Sequence, residues 1–162
     1  MTFLCIDPGW YNLGIVLLSK NKIVYQETYD ICAGQTLKNI KRIREWRNFV
    51  IKRLRRKFDL ILSGYWEYFI DPPLLLVEKQ MGDNEIWLTG VIQGLLQDTC
   101  QIGFMYRSMD CCAYFGIPVS KAKIKREEKK EKTVALVKEK GYNIETDHVA
   151  DAVMLYLYHT KN

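Results

Sequence analysis

The amino-acid sequence predicts an α/β fold: a mixed five-stranded sheet with helices on both faces. Three apolar runs near the N-terminus, joined by tight turns, predict a meander of antiparallel strands. Helical and strand-like apolar patterns then alternate to the C-terminus, as expected of strands covered by helices. The length of 162 residues suits one domain with one substantial core, which we expect to span 1–162.

The first three predicted strands are short apolar runs that end at turn residues. Residues 2–7 show no alternation, which is typical of a strand buried on both faces, and Asp7-Pro8-Gly9 ends this run. The second run, 13–18, ends at the turn 19–22, and the third run is 23–25. These runs predict the antiparallel meander.

A long basic amphipathic helix is predicted after the meander. Residues 38–57 contain ten Lys and Arg residues against one acid, Glu45, and their apolar residues recur at helical spacing. Residues 58–71 are harder to assign, and 59–62 within them fits either a strand or a helix. Within them lies an aromatic segment, 65–69, which is expected either in the core or an interface or stacked on opened bases.

The remaining chain alternates between strand and helix patterns. The predicted elements are a strand at 74–77, a helix near 84–99, a strand at 102–106, a short helix with Cys111 and Cys112, a helix that stops at Gly141, and a last helix from about Asp147 to about Tyr158. A charged stretch, 121–132, leads into the helix that stops at Gly141 and holds seven basic and three acidic residues.

Composition and charge restrict the class of protein. Hydrophobic residues make up 48% and charged residues 27%, which is an ordinary globular balance. No apolar run approaches the roughly 20 residues of a membrane helix, and the N-terminus does not resemble a signal peptide. Five cysteines without zinc-site spacing predict reduced thiols in the cytoplasm or another reducing compartment, bacterial, viral or organellar. The net charge of +5 permits a nucleic-acid partner.

Acidic residues stand where predicted apolar elements end or begin. Asp7 ends the first strand, Glu78 ends the fourth, and Asp147, His148 and Asp151 open the last helix. Carboxylates that converge at one edge of a sheet repel each other unless a cation is bound. Oxygen ligands suit Mg²⁺ or Mn²⁺, and two such ions about 3.5–4 Å apart would activate water for phosphodiester hydrolysis. Singly, Asp7 also fits a turn, Glu78 an ion pair, and Asp147 a helix N-cap.

Three motifs in order resemble the RuvC-type Holliday junction resolvases of the ribonuclease H-like superfamily. They are Asp7-Pro8-Gly9 followed by Asn12 and Gly14, then Val77-Glu78-Lys79-Gln80, then His148-Val149-Ala150-Asp151-Ala152. The first three residues and the last motif look like bacterial members, whereas Asn12 and the Glu-Lys-Gln triplet look like poxviral and fungal mitochondrial members. The resemblance spans nearly the whole chain.

The resemblance implies a ribonuclease H-like fold and a site for two Mg²⁺ or Mn²⁺ ions, with no small-molecule cofactor. Asp7, Glu78 and Asp151 match three of the family's four metal-binding residues. The fourth position falls on His148, with Asp147 as the rival.

The resemblance also implies a lysine that holds the scissile phosphate. Lys129 and Lys132 are the best candidates, with Lys125 behind them, and Lys132 is the one we assign to catalysis. The basic helix is a further candidate for DNA binding, through Lys41, Arg44 and Arg47.

The implied function is that of a crossover junction endodeoxyribonuclease, which cuts four-way DNA junctions as a homodimer. By the resemblance, the helix that carries Gly90 and Gly94 contributes to the dimer interface. Two alternatives stay open: a ribonuclease H-like nuclease that acts on RNA or hybrids, and a non-catalytic junction-binding module.

Overall fold

A computed structural model describes residues 1–34, 43–119 and 124–161 of the chain. Five strands form one sheet: β1 (Thr2–Pro8), β2 (Asn12–Ser19), β3 (Lys22–Asp30), β4 (Leu74–Glu78) and β5 (Gln101–Tyr106). Their order is β3-β2-β1-β4-β5. The first three strands are antiparallel, whereas β4 runs parallel to β1 and to β5. The predicted mixed five-stranded sheet is therefore confirmed.

Helices cover both faces of this sheet. They are α1 (Ile43–Gly64), α2 (Asp83–Leu96), α3 (Ser108–Tyr114), α4 (Arg126–Glu139) and α5 (Asp147–His159). The buried residues of α1 and α2 pack on one face, and those of α3, α4 and α5 pack on the other. Every residue of β1 is buried, because its side chains alternate between these two apolar layers. The prediction of helices on both faces is confirmed.

Strand β3 is longer than its predicted run of 23–25 and continues to Asp30. Polar residues mark the added part, so it lacks the apolar pattern of a buried strand. At the edge of the sheet these residues remain half-buried, and two of them contact helices: Glu27 binds Lys57 of α1, and Thr28 binds Thr146 before α5. The extra length of β3 thus depends on partners that are distant in sequence.

Helix α1 continues past its predicted end at residue 57 and reaches Gly64. Phe58 and Ile61 are buried and extend the apolar stripe of the helix, which settles the ambiguous start of 58–71 as helix. A short 3₁₀ helix, Trp66–Tyr68, follows. In the aromatic segment, Tyr65 and Phe69 pack against the core, whereas Trp66 is 72% exposed.

The five cysteines are all free and buried, as expected of reduced thiols. Burial raises the pKa of the Cys111 thiol to about 12, so it stays protonated at neutral pH.

None of the described helices has the length and apolar character needed to span a membrane.

Candidate active site

Three acidic residues from different elements meet at one end of the sheet. Asp7 lies near the end of β1, Glu78 ends the neighbouring parallel strand β4, and Asp151 lies near the start of α5. Asp7 is only 6% exposed. Its carboxyl group interacts with that of Glu78, and its Oδ2 lies 3.2 Å from Nδ1 of His148. The structure therefore brings together Asp7, Glu78, Asp151 and His148.

This group carries more potential negative charge than its surroundings stabilise. Burial raises the pKa of Glu78 to about 10, and the nearby Asp7 and Asp151 add to the effect. Burial also raises the pKa of Asp151 to about 7, again with a contribution from Asp7. The hydrogen bond to Asp7 raises the pKa of His148. A cation bound among these groups would reverse the shifts of the two carboxyls.

The position of α5 depends on a glycine in the adjacent strand. Gly14 of β2 lies opposite Asp7 in the antiparallel ladder. A Cβ atom on Gly14 would lie 2.0 Å from the carbonyl oxygen of His148, so a larger residue would push the helix away. The side chain of Thr146 caps the helix by accepting from the Val149 N–H at 3.2 Å. Together these contacts bring His148 against Asp7.

Asp147 and His148 have different partners in the structure. Asp147 forms an ion pair with Lys130 of α4. Burial opposes its ionisation, but the hydrogen bond and charge of Lys130 outweigh this effect and lower the pKa of Asp147. His148 is the residue in contact with Asp7, and the N-cap role belongs to Thr146.

The candidate lysines lie in different surroundings. The ammonium of Lys129 donates to the Ser108 hydroxyl at 3.0 Å. Its positive charge offsets part of the upward pKa shift of both Glu78 and Asp151. Lys132 lies outside the group of residues that line the cavity and pairs with Glu128 at 2.9 Å. Lys125 is exposed and immediately precedes α4.

A cavity of about 490 Å³ opens over the carboxyl groups. Besides Asp7, Glu78, His148, Asp151 and Lys129, it is lined by Gly9, Trp10, Tyr11, Asn12, Gln80, Glu85, Ser108, Arg126, Lys130 and Thr133. Sequence reasoning missed Trp10, Tyr11 and Glu85 as site residues. The first two directly follow the Asp-Pro-Gly turn, and that proximity to Asp7 was the available signal.

The donor set fits a divalent cation in its chemistry. It contains three carboxyl groups and one imidazole, a combination suited to Mg²⁺ or Mn²⁺. The raised pKa values of Glu78 and Asp151 also agree with a cation site, because a bound cation would favour the charged form of both carboxyl groups. Among the described residues, however, no group of three or more His, Cys, Asp and Glu side chains is arranged so that it could hold a metal ion.

The basic helix α1 approaches the cavity at its N-terminal end. Trp46 of α1 packs against Trp10 of the cavity wall, with ring centroids 4.3 Å apart. Arg44 is exposed beside it, and the Arg47 guanidinium lies 5.0 Å from the Trp87 ring. The third predicted DNA-binding residue of this helix, Lys41, lies outside the described residues.

No protein-family model matches this sequence, and no curated protein matches it. The structure is similar to that of Thermus thermophilus RuvC, with a TM-score of 0.63 and 16% identity over 99% of this chain and 93% of that chain. It is also similar to T. thermophilus RuvC in complex with a Holliday junction substrate, with a TM-score of 0.63 and 17% identity over 99% and 92% of the two chains. The chain therefore has the ribonuclease H-like fold of the RuvC-type Holliday junction resolvases.

Proposed function

We propose that this chain is a metal-dependent DNA endonuclease that resolves four-way junctions. The observation that carries the proposal is the meeting of Asp7, Glu78, Asp151 and His148 in one cavity beside Lys129. Buried carboxyl groups that repel one another are costly to a fold, and a cation-dependent reaction gives them a use. The similarity to a RuvC structure in complex with a Holliday junction supports branched DNA as the substrate.

The proposed reaction is hydrolysis of a phosphodiester bond. Two Mg²⁺ or Mn²⁺ ions, held by Asp7, Glu78, His148 and Asp151, would supply an activated water and stabilise the leaving oxygen. Asp7 orients the imidazole of His148 through the contact at 3.2 Å. Asp147, which is engaged by Lys130, acts as an accessory residue.

We assign the scissile phosphate contact to Lys129 in preference to Lys132. The Ser108 hydroxyl accepts from the Lys129 ammonium and keeps it beside the carboxyl groups. Arg126 and Lys130 line the same side of the cavity and add positive charge for the flanking phosphates. Lys132 pairs with Glu128 and has no comparable contact with the cavity.

The proposal is tested by Asp7→Asn and Glu78→Gln on a synthetic four-way junction with Mg²⁺ or Mn²⁺, with the products mapped on both strands. Both variants preserve side-chain size, and we expect each to lower the cleavage rate at least about 10²-fold. Glu127→Gln, an exposed acid on α4, is the matched control and is expected to cleave normally.

Three outcomes would contradict the proposal. Undiminished cleavage by the Asp7 and Glu78 variants would exclude these carboxylates as the catalytic groups. Faster cleavage of RNA or of an RNA–DNA hybrid would favour a ribonuclease. Tight junction binding without cleavage in either metal would favour a non-catalytic binding module.

We also propose that residues 1–162 act as one nuclease domain that pairs with a second copy through α2. A Cβ atom on Gly90 or Gly94 would contact nothing within 4 Å, and Ile86 on the same helix is 53% exposed. A groove of about 490 Å³ is lined by Ile86 and Gly90 together with Met81 and Met105, which are also exposed. Two-fold pairing matches the two symmetric cuts that junction resolution requires.

Light scattering after gel filtration tests the dimer. The wild-type chain is expected at twice its mass of 19.1 kDa, and Ile86→Glu is expected to produce monomers. Leu60→Glu, a similarly exposed apolar position on α1, is the control that should leave the dimer intact. A wild-type chain that stays monomeric at high concentration would contradict the pairing.

A further inference from the structure

The loop between β1 and β2 presents an aromatic residue to the catalytic cavity. Tyr11 lines the cavity together with Asp7 and Trp10, yet it is 46% exposed. A large ring that is left open to solvent this close to reactive carboxyl groups has apolar surface available for a ligand. Within the part of the chain that the structure describes, its ring stacks on no other ring.

The backbone that carries Tyr11 is held on both sides. The carbonyl oxygen of Tyr11 accepts from the Ile31 N–H at 3.0 Å, which ties the loop to the end of β3. Its neighbour Trp10 packs on Trp46, which is only 2% exposed. The loop is tight at Gly9 as well, where a Cβ atom would lie 2.5 Å from the Asn12 carbonyl oxygen. Tyr11 is therefore an exposed ring on a fixed support.

The cavity has two chemically different walls. Trp10 and Tyr11 form an aromatic wall, whereas Arg126, Lys129 and Lys130 form a cationic wall. A nucleotide has the same division, since its phosphate is anionic and its base is an aromatic plane. If Lys129 contacts the scissile phosphate, the aromatic residues that could receive a base of an adjacent nucleotide line the same cavity.

The class of base follows from the geometry of stacking. In a paired duplex both faces of each base are covered by neighbouring base pairs, so a protein ring has no face to contact. An unpaired or unstacked base has an open face, and such bases stack readily on aromatic side chains. Nucleotides at a branch point have this property, whereas nucleotides within a linear duplex lack it.

We propose that Tyr11 stacks on an unpaired nucleobase next to the scissile phosphate and so contributes to the preference for branched DNA over linear duplex. This inference rests on the proposed function, because it takes the scissile phosphate to lie at Lys129. The packing of Trp10 on Trp46 holds the loop that carries Tyr11 in place.

Equilibrium binding tests the stack through a two-by-two comparison. Wild type and Tyr11→Ala are each titrated with an intact junction and with a junction whose branch-point nucleotides are abasic, in Ca²⁺ without Mg²⁺. We expect Tyr11→Ala to weaken binding of the intact junction roughly 5- to 150-fold and to have little effect on the abasic one. Tyr11→Phe should retain the wild-type affinity, and Tyr11→Leu should lose it.

Tyr114→Ala is the matched control, because Tyr114 is 50% exposed and does not line the cavity. Equal losses on both junctions, or no loss on either, would overturn the stacking role. The readout is separate from cleavage, so the two proposals fail differently. A base-dependent loss in a protein that never cuts would retain the stack and overturn the nuclease, whereas no junction binding at all would overturn both.

Discussion

The two basic helices, α1 and α4, differ in what their charged side chains contact. In α4 two lysines contact residues of the candidate site: Lys129 donates to Ser108 beside the carboxyl groups, and Lys130 pairs with Asp147. Both lysines line the cavity and are half-buried. Their charges therefore offset the acidic residues of the site while remaining close to any bound phosphate.

In α1 some of the charges hold the fold together. The Arg53 guanidinium donates to the backbone carbonyl of Asp30 at 2.9 Å, and the Lys57 ammonium donates to Glu27 at 2.8 Å, both on β3. These residues fix the helix to the edge of the sheet. The number of basic residues in a segment is therefore larger than the number available to bind DNA.

The largest effect expected from this comparison lies within α4 itself. Lys129→Met should lower the rate of junction cleavage about 10²-fold at saturating DNA, because it removes the cation nearest Glu78 and Asp151. Lys132→Met should change the rate only slightly, since Lys132 pairs with Glu128 away from the cavity. Single-turnover cleavage measures both. Equal losses in the two variants would remove the distinction between the lysines.

The next effect concerns the end of α1 that approaches the cavity. The double variant Arg44→Gln/Arg47→Gln should weaken junction binding about 10-fold and lower the dependence of log K on log salt by about 2, as expected for two phosphate contacts. The cleavage rate at saturation should not change. Titrations at several salt concentrations provide the measurement.

The control for this prediction lies further along the same helix. Arg55 and Arg56 are exposed, and they follow Arg44 by about 17 Å along the helix axis. Arg55→Gln/Arg56→Gln should therefore reduce the salt dependence less. A larger reduction in the control would mean that DNA follows the outer face of α1 and not its N-terminal end.

Most of the fold was predictable because its signals are local. The apolar runs of β1, β2 and β4 and the helical spacing of α1 each record burial in the sequence itself, whereas β5 has an apolar run although most of its residues are exposed. The second half of β3 was not predictable, because its polar residues lie at the sheet edge and depend on partners in α1 and before α5. The end of α1 was ambiguous since 59–62 lacks a periodic pattern of its own.

The convergence of the acidic side chains on one cavity was predictable, whereas their individual contacts were not. Sequence order could indicate that Asp7 and Glu78 end neighbouring strands, and the structure brings them together. It could not distinguish Lys129 from Lys132, because four lysines fall within residues 125–132 and their difference depends on Ser108, which precedes them by about twenty residues. Tyr11 escaped notice for a related reason, since its exposure is a property of the folded loop.

A smaller effect is expected at two glutamates, one of which lies beside α1 and the other beside α4. Glu27 has a lysine partner, whereas Glu78 faces Asp7 and Asp151. Glu78→Gln should abolish cleavage and yet stabilise the metal-free protein by about 1 kcal/mol, or roughly 2–4 °C in Tm, because the folded chain no longer has to keep a carboxyl protonated that the unfolded chain would ionise. Thermal unfolding in EDTA at pH 8 measures this gain.

The dependence on pH follows from the same shift. The folded-state pKa of Glu78 is about 10 against 4.5 for an ordinary glutamate, so above about pH 5 the folded chain retains a proton that the unfolded chain releases. The metal-free wild type should therefore lose stability as the pH rises from about 5 to 8. The slope should be smaller for Glu78→Gln and smaller again when Mg²⁺ is added. A wild-type Tm that rises over this range would contradict the raised pKa of Glu78.

The smallest effect separates structural from DNA-binding charge on α1. Lys57 pairs with Glu27 and lies 4.7 Å from the centroid of the Tyr29 ring, so Lys57→Met should lower the free energy of unfolding by about 0.5–1 kcal/mol. The salt dependence of junction binding should stay unchanged, because this lysine is already engaged by β3. Lys52→Met, at an exposed position of the same helix, should leave stability unchanged. Urea unfolding and salt titrations of both variants decide the matter: a decrease of about 0.9 in the salt slope of Lys57→Met would show that Lys57 contacts a phosphate after all.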